Sequence, residues 1–144
     1  MMQRDEFTMF HRLRVRWAEV DRQDVVFNAH YFLYFDVAIA EYWRAIRFDY
    51  PKALQPHGTD VFAVKASAEF HGSATYEDEL DVGCRCARLG RSSMHFVLGI
   101  WRGADLLTSG ELLYVYVDLA TKRSMPLPDF VRQAIVTFER TPPQ

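Results

Sequence analysis

The segment that begins at Asn28 constrains this chain more than any other. Tyr31, Tyr34, Phe35, Ala38, Ile39, Tyr42, Trp43 and Ile46 recur at i, i+3, i+4 spacing. Phe27, Phe32 and Leu33 widen the stripe until the predicted helix is apolar on most of its sides. A helix of that kind is buried, and the rest of the chain has to wrap it. Pro51 is expected to end it, because the residue before a proline avoids helical angles. The helix is therefore predicted over 28–49, roughly 30 Å at ~1.5 Å per residue. Asn28 is the N-cap candidate. Asp36, inside the apolar stretch, is expected to need a partner, with Arg44 or a residue across a dimer as candidates.

The flanking sequence reads as strands. Residues 9–17 alternate, with Met9, His11, Leu13, Val15 and Trp17 on one side and Phe10, Arg12, Arg14 and Arg16 on the other. Glu19 to Asp24 is a polar turn. Beyond the linker Gln55–Thr59, Val61–His71 alternates with Phe62, Val64, Ala66, Ala68 and Phe70 on one face. Asp78-Glu79, Gly90 and Gly103-Ala104-Asp105 punctuate three more strands, Leu80–Leu89, Ser92–Arg102 and Leu106–Asp118. Pro126 and Pro128 precede a short helix, which Asp129 could cap, carrying Phe130, Val131, Ile135, Val136 and Phe138. One long helix and a strand meander imply an α+β architecture in a single domain over 1–144: a curled antiparallel sheet of about five strands around one central helix. Leu106–Asp118 is apolar on both faces, more than one helix can cover. A dimer or larger homo-oligomer is expected.

Composition narrows the function. The chain is 49% hydrophobic and 15% aromatic, which excludes disorder. The net charge of −2 argues against a general nucleic-acid binder. No apolar run reaches the ~18 residues of a membrane span, and the first residues lack a signal-peptide core. A cytoplasmic protein is expected. Cys84 and Cys86, spaced C-x-C on a strand, read as buried reduced thiols rather than a disulfide or metal pair. The five histidines show no metal spacing, and His30 reads as surface or pocket rim.

Chemistry concentrates in DRQDVVFNAHYFLYFD, Asp21 to Asp36. It sets a carboxylate on a short turn that leads into the helix start. Free N–H groups there, with the helix dipole, can hold a developing negative charge. A carboxylate beside such amides suits attack on an activated carbonyl. From spacing alone, the commoner reading is a polar turn before a helix, with Asn28 as its cap. A Cys–His hydrolase built on Cys84 or Cys86 with His95 is a weaker option, since nothing orients the pair.

Asp21, Val26, Asn28, Ala29, Tyr31, Tyr34 and Asp36 form a pattern that resembles the hotdog-fold acyl-CoA thioesterases, in the 4-hydroxybenzoyl-CoA thioesterase/YbgC-like branch. Tyr76–Leu80, Leu89–Ser93, Val117-Asp118 with Thr121–Arg123, and Pro126–Pro128 resemble later family segments in the same order. The resemblance implies the hotdog fold, protomers paired edge to edge as a homodimer or a tetramer (dimer of dimers), and an active site at their interface. It implies Asp21 as general base or nucleophile, and the Asn28 backbone N–H as donor to the thioester carbonyl. Two departures stand out: Asp24 where many members have Gly, and Val25 where many have His. The turn at 24 then needs a conformation that Asp tolerates better than most residues.

The implied ligand is an acyl-CoA or acyl carrier protein thioester. Val26 and Tyr31 are candidate pocket residues. Arg85, Arg88, Arg91, Ser92, Lys122 and Arg123 are candidates for the anionic end of coenzyme A. No metal or redox cofactor is implied. The rivals are a hydratase-type hotdog enzyme and a non-catalytic thioester-binding module.

Overall fold

The computed structural model describes residues 2–144; Met1 lies outside it. The apolar stripe forms helix α1, Ala29–Ala45, and buries Tyr31, Tyr34, Phe35, Ala38, Ile39, Tyr42 and Trp43. Its end comes earlier than Pro51. Arg47 adopts a left-handed conformation at φ 61°. Its N–H donates to the Arg44 carbonyl at 3.0 Å, and the Phe48 N–H donates to the Trp43 carbonyl at 2.9 Å. The Phe48 and Trp43 rings meet at 5.3 Å. This is a Schellman closure with an arginine where glycine is usual. The expected Asn28 cap is also absent. Asn28 already has helical angles, φ −55° and ψ −33°, and its side chain makes no capping bond. A capping residue needs extended angles to aim its side chain back at the first amides.

Five strands form one antiparallel sheet in the order β1-β3-β4-β5-β2. They are β1 Met9–Arg14, β2 Thr59–Phe70, β3 Glu79–Leu89, β4 Ser93–Arg102 and β5 Asp105–Asp118. The expected α+β arrangement of a curled sheet around one helix holds. Leu80, Val82, Cys84 and Cys86 of β3 and Met94, Phe96, Leu98 and Ile100 of β4 are fully buried in the cluster shared with α1. Both cysteines are free. β1 is shorter than the alternation suggested, because Trp17–Glu19 turns into a 3₁₀ helix.

β2 departs from the sequence expectation in its faces. A bulge between Ala63 and Lys65 shifts the register. An extra residue in a strand reverses the alternation beyond it. Val61, Ala63, Ala66, Ala68 and Phe70 therefore pair with the helix-side residues of β5, while Phe62 pairs with Val115 on the convex face.

Asp36 lies exposed on α1, and Arg44 pairs with Glu41 instead. The second helix, α2, spans Asp129–Phe138. Pro128, not Asp129, occupies its cap position. Val131 and Ile135 are its buried face; Phe130 and Val136 remain exposed.

Candidate active site

The turn that leads into α1 is held by its own backbone. Val20 and Val26 bridge across it. Inside, the Asp21 N–H donates to the Val25 carbonyl at 2.9 Å, and the Asp24 N–H to the Asp21 carbonyl at 3.0 Å. Asp24 takes the left-handed conformation at φ 61°, the cost of having Asp where Gly would be free. Its side chain is exposed and does not line the cleft. The Val26 N–H donates to the Ala74 carbonyl at 2.9 Å, tying the turn to the β2–β3 connection. That connection is tied to the helix as well, since the Tyr31 hydroxyl accepts the Ala74 N–H at 3.0 Å.

Glu19 anchors the turn from below. Its buried carboxylate accepts the Arg16 N–H at 2.8 Å, the Arg16 guanidinium at 2.8 Å and the Tyr34 hydroxyl at 2.9 Å. Burial works to raise the Glu19 carboxyl, but these donors outweigh it and hold the group below the usual carboxylate value. A depressed carboxyl contributes stability above its unfolded value near 4.5 and loses it as pH falls through the folded value. Urea midpoints of the parent should therefore drop as pH falls below about 4.5, with Asp78 and Asp81 contributing in the same direction. Glu19→Gln should be less stable at pH 7 and show a shallower drop. An equal drop in both proteins would contradict this role for Glu19.

A cleft of about 210 Å³ opens between the turn and the end of β2. Asp21, Gln23, Val25, Val26, Asn28, Tyr31, Phe70, Gly72 and Ser73 line it. Asp21 is half-buried, and its Oδ1 accepts the Gln23 N–H at 2.7 Å. Its second oxygen has no partner among the described residues. The His30 and Tyr31 amides are spent on the Phe27 and Asn28 carbonyls. Those of Asn28 and Ala29 have no acceptor among the described residues. One cleft thus brings together Asp21, with its unpaired carboxylate oxygen, and Asn28, whose main-chain N–H is unpaired at the helix start. That combination can orient a water, or attack directly, and hold an oxyanion.

The fold brings Asp21, Val26, Asn28 and Tyr31 into one cleft. It does not bring the basic candidates to the same cleft within one chain. Arg91 and Ser92 precede Ser93, which pairs with Val115 opposite Phe62, whereas the cleft sits at Phe70. Positions 62 and 70 of β2 are ~26 Å apart at ~3.3 Å per residue. Lys122 and Arg123 follow the same far end of β5, with the Lys122 ammonium 5.5 Å from the Phe62 ring. Arg85 is half-buried with its guanidinium 5.8 Å from the Phe7 ring, so it packs rather than facing solvent. The Cys–His option fails on topology. Cys84 and Cys86 face α1, while His95 pairs with Leu113 on the opposite face and bridges to Glu111. Burial pushes the Cys86 thiol up to about 12, away from the reactive thiolate.

Sequence reasoning missed Gln23, Phe70, Gly72 and Ser73 as cleft walls, and Glu19 as the anchor. Glu19 carried a signal: it stands three residues after Arg16, the spacing of a one-turn ion pair.

The sequence profile of the thioesterase superfamily matches residues 23–109, more than half of the chain. The chain belongs to the thioesterase superfamily. A relative in Aquifex aeolicus (strain VF5), named as a candidate esterase, is 31% identical over 86 residues. The match covers 60% of this chain and 66% of that one, just under two thirds of the relative's length. A 1,4-dihydroxy-2-naphthoyl-CoA thioesterase from Synechocystis shares the fold with a TM-score of 0.81 at 20% identity, over 88% of this chain and 93% of that one. A thioesterase from Thermus thermophilus, complexed with coenzyme A and zinc, shares it with a TM-score of 0.80 at 24% identity, over 94% and 96% of the two chains. The superfamily's hotdog fold is thus the fold of this chain.

Proposed function

We propose that this thioesterase-superfamily protein, acting as one domain over 1–144, hydrolyses acyl-CoA thioesters to a carboxylic acid and coenzyme A. The observation that carries the reading is the shared cleft of Asp21 and the unpaired Asn28 amide. Asp21 activates water as general base, or attacks the carbonyl carbon to give an anhydride that water then opens. In both routes oxygen adds to the carbonyl carbon, the Asn28 N–H takes the negative oxygen, and the C–S bond breaks to release the thiolate. A thiolate leaves readily, so no strong acid is required opposite Asp21. Val26 and Tyr31 form the wall against the acyl group. Coenzyme A in a Thermus structure of the same fold supports CoA as the carrier, with acyl carrier protein as the alternative. The two free cysteines suit a cytoplasmic setting.

The reading includes a homodimer, or a tetramer made of two such dimers. β2 is an edge strand with Phe62 and Val64 exposed, and Phe32, Leu33 and Val37 of α1 are exposed as well. Such an apolar edge needs covering. Antiparallel pairing of β2 with its copy would set the Thr59 end of one chain against the Phe70 end of the other. The second chain's Lys122 and Arg123 would then approach the first chain's cleft, which accounts for basic residues that one chain alone places ~26 Å away.

The test is thiol release from a panel of acyl-CoAs. The reading predicts equal amounts of free thiol and carboxylic acid for at least one substrate. Conversion of an enoyl-CoA without thiol would favour the hydratase-type alternative. Binding without turnover across the panel would favour a non-catalytic module.

A further inference from the structure

The convex face of the sheet carries a second cavity, of about 320 Å³, on the side away from α1 and the Asp21 cleft. Lys65, Leu113, His95 and Arg88 are register partners in one row across β2, β5, β4 and β3. Two separate bulges create the basic ends of that row. One lies between Ala63 and Lys65, the other between Cys86 and Arg88. By simple alternation Lys65 would continue the helix-side face of Val61 and Ala63, and Arg88 that of Cys84 and Cys86. Each bulge reverses the alternation and turns its cation outward. Bulges re-aim side chains near functional sites, and here two of them do so at the same level of the sheet.

Polar side chains ring the cavity around Leu113. Lys65 and Arg88 are both exposed, and neither side chain has an ion-pair or hydrogen-bond partner among the described residues. Glu111, the carboxylate on the wall, is engaged by His95 at 3.4 Å. Ser93 adds a hydroxyl. Gly90 makes room for it, since a Cβ there would collide with Ser93 Oγ. Arg132 holds the adjoining turn by donating to the Gly90 carbonyl at 2.6 Å. Two unpaired cations, an imidazole and a hydroxyl around one hollow match a compact dianion with several acceptor oxygens.

The geometry points to a phosphate-monoester site on the convex face, formed by Lys65, Arg88, Ser93 and His95. It stands whether or not Asp21 is the catalyst. The phosphate could be the 3′-phosphate of a coenzyme A substrate or belong to a separate phosphorylated ligand; the chemistry at the site is the same.

The full chain is titrated with adenosine 3′,5′-bisphosphate, with inorganic phosphate and with adenosine. Affinity is followed by calorimetry and the His95 ring by NMR. The bisphosphate should shift the His95 resonances, and adenosine should not. Lys65→Ala/Arg88→Ala should weaken bisphosphate binding at least tenfold. Unmoved His95 resonances, or equal affinity in parent and double variant, would overturn the site. Kinetics then separate the two sources. A KM increase in the double variant for an acyl-CoA, absent for the 3′-dephospho thioester, assigns the phosphate to the substrate. Phosphate binding that does not compete with acyl-CoA assigns it to a separate ligand. If no acyl-CoA turns over, the thioesterase reading fails while the phosphate titration still decides this one.

Discussion

Asp21→Asn should lower kcat for acyl-CoA hydrolysis by ~10²-fold or more, the loss expected when a general base or nucleophile is removed. The variant should fold as the parent does. Asp21 is half-buried on a turn whose closing bonds are main-chain, and an asparagine side-chain oxygen can accept the same Gln23 N–H. What changes is the charge and basicity of the carboxylate that lines the cleft. Thermal midpoints within a few degrees of the parent, together with the kinetic loss, would place the defect in the chemistry. Parent-like turnover would remove Asp21 from the reaction.

Gly110→Ala should be the most destabilising single-atom change in the sheet. Gly110 faces α1 from β5, opposite Leu98 and Ala68. A Cβ there would collide with Phe35 Cε2 and lie 2.7 Å from the Ser67 backbone oxygen. Phe35 is fully buried and has little room to turn aside, and the Ser67 oxygen belongs to the neighbouring strand's backbone. Overpacking of this kind costs about 3 kcal/mol, which lowers Tm by roughly 10 °C for a chain of this size. The glycine lets the helix settle onto the sheet at the level of Phe35. Combining Gly110→Ala with Phe35→Leu should therefore cost less than the sum of the two, because the smaller side chain vacates the contested space. Strict additivity would show that the Ser67 backbone, not the ring, sets the limit.

The sequence exposed what is periodic or local. The α1 stripe was readable because its buried residues repeat at helical spacing, and Tyr31, Tyr34, Tyr42 and Trp43 are all in the core. The end of α1 was not readable, because the closure uses Arg47 in a conformation that signals itself only when the residue is glycine. Period-two reasoning put Phe62 on the wrong face of β2, since a bulge leaves no mark in the alternation before it. The Asp21–Tyr31 half of the cleft was legible because it is contiguous in the chain. The Phe70–Ser73 half reaches it only through strand register, and no local motif announces that. Glu139 shows the same limit. No local pattern marks it, yet it is buried where it accepts the Tyr42 hydroxyl at 2.8 Å and the Cys86 N–H at 3.1 Å.

The most direct measurement is a crystal structure of Asp21→Asn bound to a non-hydrolysable ketone analogue of an acyl-CoA that the parent cleaves. The account predicts the analogue's carbonyl oxygen within ~3.1 Å of the Asn28 nitrogen. It also predicts the carbonyl carbon within ~3.5 Å of the residue-21 side chain or of a water that side chain holds. A carbonyl seated outside the cleft, or turned from both groups, would contradict it.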